Sequence, residues 1–279
     1  MKVYKLVASA LLAGLAIFFQ FYNGVLGVQT GFGMTVDLAA LPVLIALFVL
    51  GFEYAFETLL VLTLAIALIA ETGYIGAITK FAATLPMIAL PALYVVAFKK
   101  KLDFARVLAL VLLGSLAVVA IFALLSYPSL FASTNFGGIP LAGVYLIGLL
   151  PVALMALVSL ALYAFLAKDA EADALMKLSS VKHAVFVLVL ALALRGLSMV
   201  IANAFFAGPL FFKLSPQQFI SFLESLNLPL FGTGSAWFAV IFFWNVVQGA
   251  LEFGLAWLIA YKFAFAKRYG GLPGVPTAA

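Results

Sequence analysis

Charged side chains are too scarce in this chain to clothe a water-facing surface. Lys, Arg, Asp and Glu together make up only 9% of the 279 residues, where a soluble domain carries about 25%. Hydrophobic residues account for 67%, and the mean hydropathy is +1.27. A chain of this kind must turn most of its surface to lipid. In lipid every backbone N–H and C=O needs an internal partner, so the fold expected is an all-α polytopic transmembrane helical bundle. Soluble enzyme, nucleic-acid binder and disordered protein are excluded as first readings. The absence of cysteine removes disulfides, thiolate metal sites and Cys nucleophiles together.

A span needs about 20 mostly apolar residues. Eight such stretches are placed, at 4–26, 35–51, 53–71, 76–98, 103–126, 139–167, 183–207 and 235–264. The second and third are short and separated only by Leu50-Gly51-Phe52, which predicts a tight hairpin. With eight spans, 12 of the 15 Lys and Arg residues fall on one side. The positive-inside rule then places both termini in the cytoplasm of a plasma-membrane protein. The remaining three are Lys80, Arg195 and Lys213. Residues 1–267 form a single membrane domain in this reading, and 268–279 a short cytoplasmic tail.

Several chemistries are missing. No G-x-x-x-x-G-K-[ST] phosphate loop occurs. The single histidine, His183, falls at a span edge, and no nucleophile–base pattern or metal-ligand spacing accompanies it. The chain is therefore not expected to be an enzyme, to hold a metal or to carry a covalently bound cofactor.

Polar residues inside spans are costly and so are candidates for function. Arg195 and Glu252 lie at matched depths in the seventh and eighth spans, which predicts an ion pair between them; Glu57 is a second possible partner for Arg195. A different set collects toward the outer face: Asp37, Lys80, Asn203, Asn245 and Gln248, with Phe32, Thr35 and Phe81 nearby. Together they predict a largely apolar small-molecule pocket with a few placed polar groups. Tyr74, Phe205 and Phe206 are also expected close by. Two segments are positioned to close it. One is the glycine-rich loop Gly27–Thr35. The other is a short amphipathic helix opened by Ser215-Pro-Gln-Gln218, which reads as a capping box with Pro at the first helical position; such a helix either covers the pocket or floats on the outer membrane surface. Small residues at helical spacing in the first span, Ser9 with Ala13 and Ala10 with Gly14, allow close helix approach, within the chain or to another subunit.

The run Gly31-Phe-Gly-Met-Thr-Val-Asp37, followed by Leu41-Pro42 and Gly51, resembles the start of the S components of energy-coupling factor (ECF) transporters. Further similarities are Gly73-Tyr-Ile-Gly-Ala-Ile-Thr-Lys80-Phe81, Gly208-Pro-Leu-Phe211 and Asn245-Val-Val-Gln-Gly249. The riboflavin-binding branch is nearest. The resemblance implies a six-helix core, here with a helix pair inserted at about 103–167. It implies capture of riboflavin or a related vitamin from outside. It also implies two kinds of partner, a transmembrane coupling subunit docking on the Ala10–Gly14 surface and two ABC ATPases. Lys80 stands where that branch tends to have Asn, and Gln248 where it has Lys. The cation at Lys80 therefore suggests a carboxylate or phosphate on the substrate. The alternative from another class is a non-transporting membrane scaffold whose polar residues serve helix packing.

Overall fold

The computed structural model describes residues 2–31, 33–104, 106, 109, 155–227, 231–232, 234 and 236–263. Its elements are α1 (Lys2–Phe21), α2 (Asn23–Leu26), β1 (Val28–Gln29), β2 (Thr35–Val36), α3 (Leu41–Leu50), α4 (Phe52–Ile69) and α5 (Gly73–Lys99). After these come α6 (Met155–Leu166), α7 (Ala172–Leu175), α8 (Val181–Ala202), α9 (Gly208–Phe212), α10 (Pro216–Ser225) and α11 (Trp237–Trp257). Among the described residues, five helical runs are long and apolar enough to cross a membrane: Val3–Phe21, Phe52–Ile69, Gly73–Lys99, Val181–Phe212 and Trp237–Lys262. The protein is an all-α membrane bundle. Three of the eight expected spans, 35–51, 103–126 and 139–167, have no counterpart among these runs. The stretch 35–51 is too short to cross, and of 103–167 only α6 and a few residues at its start lie among the described residues.

The second expected span fails for a local reason. Thr35 and Val36 pair antiparallel with Gln29 and Val28. Asp37 then accepts the Ala39 N–H at 2.8 Å in a side-chain turn. The backbone is therefore committed elsewhere until Leu41, where Pro42 occupies the first turn of α3. What remains is a ten-residue helix, Leu41–Leu50, with all but Ile45 buried. Gly51, at φ 112°, is the one residue between α3 and α4. That left-handed backbone favours glycine, and it makes the expected hairpin.

α5 is the centre of the bundle. Its most apolar stretch is 89% buried, against 22% for α1. At 27 residues it reaches ~40 Å, more than the ~30 Å hydrocarbon core. Pro86 and Pro91 lie inside it, tolerated because surrounding helices pack on every side. The outer helices turn Leu6, Leu11, Leu64, Leu68, Val185, Val189 and Leu251 outward, the face expected toward lipid. α8 and α11 approach closely. A Cβ on Gly196 would meet the Phe242 ring, and one on Gly249 would meet Leu192 and Arg195.

The two ends of the bundle differ. At one end Lys100 pairs with Asp169 at 2.6 Å, Phe52 N–H donates to Ala170 O at 3.0 Å, and Lys5 faces the Tyr54 ring. Trp257 Nε1 and Tyr261 Oη donate to Leu178 O and Leu175 O, each at 2.7 Å. His183 Nδ1 sits 2.6 Å from Tyr94 Oη at this end. α1 starts here and the last helical turn, Leu258–Lys262, finishes here. The opposite end gathers the β1–β2 hairpin, the start of α5, the end of α8 and the α9–α10 segment around a hollow.

The small residues of α1 divide. Ser9 and Ala13 are buried within the chain, and the Thr58 hydroxyl of α4 reaches Ser9 O at 3.5 Å. Ala10 and Gly14 face outward, and nothing lies within 4 Å of a Cβ built on Gly14. Of the four residues expected to allow close helix approach, Ser9 and Ala13 are thus taken up inside the chain against α4, and Ala10 and Gly14 stay on the outer face of α1.

Candidate functional site

Asp37 lies 9% exposed at the head of α3, held by the Ala39 N–H. Lys80, two turns into α5, donates to Asp37 Oδ1 at 2.6 Å. Gln248 of α11 donates to the same oxygen and to Asp37 O, both at 3.2 Å. One turn further along α11, Glu252 accepts the Ala40 N–H at 3.3 Å and Gln248 Nε2 at 3.4 Å. Its other oxygen accepts from Arg195 Nη1 of α8 at 2.8 Å. Arg195 and Glu252 are 1% and 0% exposed. The ion pair read from matched depths is present. Glu57 is not in this network; Glu252 takes Arg195.

The result is one continuous polar ladder joining α3, α5, α8 and α11. It contains two cations, Lys80 and Arg195, and two anions, Asp37 and Glu252, so it is charge-balanced. Balance matters here, because an unpaired ion in a low-dielectric interior carries a desolvation cost of several kcal/mol.

The ladder forms part of the wall of an open cavity of about 190 Å³. Thr35, Asp37, Lys80, Asn203, Asn245 and Gln248 all line it, as the sequence predicts. They come from the hairpin and from α5, the end of α8 and α11. Asn245 is anchored by its Nδ2 to Ile241 O at 2.8 Å, with Met34 Sδ at 3.5 Å. Asn203 is anchored the same way to Met199 O at 2.8 Å. Asn203 opens a π-helical turn, Asn203–Ala207, a widening that often accompanies functional sites.

Two expectations change. Phe81 is 5% exposed and packs edge-on against Phe56 in the bundle core; it does not line the cavity. Its position on α5 faces α4, while Lys80 beside it faces the hollow. Phe32 lies outside the described residues. Tyr74 is 60% exposed, and neither it, Phe205 nor Phe206 lines the cavity. The aromatic wall is instead Phe211, Phe212 and Phe219. The capping box of α10 is present, with Gln218 N–H donating to Ser215 Oγ and Ser215 N–H to Gln218 Oε1. It sets α10 so that Phe219, 1% exposed, stacks on Phe212 at 5.6 Å. Gly208 receives the Phe219 ring where a Cβ would collide. The sequence signal for this wall was the i, i+3, i+4 pattern of Phe219, Phe222 and Leu223, joined to Gly208-Pro209.

The loop Gly27–Thr35 has regular pairing within it. It is a two-stranded hairpin turned through Gly31 and Gly33, at φ 88° and 90°. Gly33 and Met34 line the cavity beside Phe212. Gln20, Asn23, Thr72, Thr79 and Arg195 also reach it, and sequence reasoning did not assign them to the site. A second hollow, at the basic end, is a groove among Lys99, Glu171, Asp173 and Lys177. Lys99 there pairs with Asp169 at 3.5 Å and Lys177 lies over the Phe98 ring.

No family profile, curated protein or solved structure matches this chain. What the protein does must be read from the cavity.

Proposed function

We propose that this protein is the substrate-capture S component of an ECF-type importer, taking a vitamin-like small molecule from outside the plasma membrane. The observation that carries the proposal is the meeting of polar side chains from four separate segments in one open cavity, at the end opposite the basic residues. By the positive-inside rule the basic end is cytoplasmic, so the cavity opens outward. The order of motifs resembling that family supports the same assignment. The hairpin Val28–Val36 and the α9–α10 segment border the mouth and are the parts that would close over a ligand.

Drug-sized ligands occupy pockets of roughly 300–1,000 Å³. At about 190 Å³ this cavity favours a ligand smaller than riboflavin. Uptake in this proposal needs a transmembrane coupling subunit and two ABC ATPases, and the exposed Ala10–Gly14 face of α1 is the surface offered to the former.

A scaffold reading has one observation in its favour. The ladder from Lys80 to Arg195 pairs its own charges without a ligand. The two are separated by Asn203→Ala combined with Asn245→Ala. A capture subunit purified in mild detergent holds a small molecule visible by native mass spectrometry and loses it in the double variant while staying folded. It also co-purifies with ATPase subunits from native membranes. A scaffold carries no small molecule in either form, and that result rejects the capture proposal.

A further inference from the structure

The cations of the cavity wall look at first like receptors for an acid. Neither is free. Lys80 Nζ lies 2.6 Å from Asp37 Oδ1 and 3.8 Å from Glu252 Oε1, and Arg195 Nη1 lies 2.8 Å from Glu252 Oε2. A carboxylate or phosphate entering here would compete with Asp37 and Glu252 for the same two cations. It would also leave the enclosure with a net negative charge in a low-dielectric surround, where an uncompensated ion is expensive.

A cationic ligand fares no better, because both carboxylates are already engaged. Asp37 Oδ1 accepts from Lys80, the Ala39 N–H and Gln248. Glu252 accepts from the Ala40 N–H, Gln248 and Arg195.

What the wall has in surplus is donors. An ammonium carries three N–H groups and a guanidinium five. Lys80, in the cavity wall, gives one of its three N–H groups to Asp37 Oδ1. Acceptors are offered on the other side. Asn203 and Asn245 each tie their Nδ2 to the helical carbonyl four residues back, which leaves the carboxamide oxygens as the ends available to a ligand. A wall with neutralised charges, spare donors and amide oxygens matches an uncharged group that presents both C=O and N–H.

We propose that the cavity selects a compact, uncharged molecule with a carbonyl–N–H edge, an amide, lactam or ureide, over the acid of the same shape. This rests on the binding-site reading above and names its substrate class. Asp37 is the specificity-determining residue, because it cancels the charge of Lys80.

The test uses the purified full-length chain, stripped of bound molecules, with matched probes near neutral pH: nicotinamide against nicotinate, and uracil against orotate. Binding is followed by thermal stabilisation and isothermal titration. The uncharged member of a pair binds at least about tenfold more tightly than the acid, the factor expected when one charge-assisted contact is lost. Asp37→Asn leaves the ladder with a net positive charge and moves the preference toward the acid by a similar factor. The wild-type comparison stands alone if that variant does not fold. Equal or tighter binding of the acids to the wild type overturns this inference and leaves the site reading standing. Binding of neither member of any pair, by a chain that also carries no molecule in native mass spectrometry, overturns the site reading and this inference with it.

Discussion

The two ends of the bundle solve the same problem, how to place charge in a membrane protein, in opposite ways. At the basic end the ions sit in water. Lys99 and Lys100 flank Asp169 on the surface, and the firm contacts are the neutral ones from Trp257 and Tyr261 to backbone carbonyls. At the cavity end the ions are buried, paired two against two, and braced by Gln248 and two backbone N–H groups. Exposed pairs contribute little because water and salt screen them. A buried pair contributes little in net terms too, but breaking it is costly because the surviving ion is stranded. The same residue types therefore carry small stakes at one end and large stakes at the other.

The largest expected effect follows from stranding Arg195. Glu252→Ala should lower stability by about 3–5 kcal/mol, read as a loss of unfolding free energy in detergent denaturation. The double change Arg195→Met with Glu252→Met should recover most of that loss, since it removes both ions. Should Glu252→Ala cost no more than a surface change, the contrast between the two ends is broken.

Gly249→Ala comes next. A Cβ there would lie 2.7 Å from Leu192 Cδ2 and 3.1 Å from Arg195 Cδ, so α8 and α11 must part or Arg195 must move. Overpacking of this kind costs about 1–3 kcal/mol. Because Arg195 also lines the cavity, affinity for a bound ligand should fall along with stability.

How far the sequence reached depends on distance along the chain. Arg195 and Glu252 were paired because depth within a span can be counted from its ends. α10 was placed because Ser215, Pro216 and Gln218 write its start locally. Lys80 and Asp37 were both picked out, yet their pairing was not, since nothing in either neighbourhood points to a partner 43 residues away. Taken alone, the charge on Lys80 suggests a receptor for an acid, whereas in the fold Asp37 neutralises it. Phe81 cannot share the cavity wall with Lys80 because neighbouring helix positions point about 100° apart, so one of the two faces away. The hairpin is not legible in the sequence because two-residue strands have no periodicity to read, and the expected second span runs too far back for the same reason.

Smaller effects sharpen the comparison. Ser215→Ala removes the cap of α10 and should cost about 1 kcal/mol. It should loosen Phe219 over the cavity, visible as faster hydrogen exchange in 216–225. Trp257→Phe at the basic end deletes one neutral donor to Leu178 O and should cost about 1 kcal/mol, with no change in ligand affinity.

The smallest effect belongs to Asp169. Hydrogen bonding from Lys100, with its charge and that of Lys99, holds this carboxyl below its ordinary 3.8. Its folded-state value is the lower one, so its contribution is present above the unfolded value and fades as the pH falls through the folded value. That window lies below about pH 4. Asp169→Asn should leave the stability at neutral pH within measurement error and flatten only the acid limb of the stability–pH curve.

The absence of native cysteine makes the most direct test simple. Thr79→Cys places one thiol in the cavity wall, and Ser179→Cys places one on the exposed surface of the basic end. A membrane-impermeant maleimide applied to intact cells should label the first and spare the second until the membrane is permeabilised. Prior incubation with a molecule the protein retains should protect the first alone. Labelling of Ser179→Cys in intact cells with Thr79→Cys untouched would put the cavity on the wrong side of the membrane for capture and contradict the assignment.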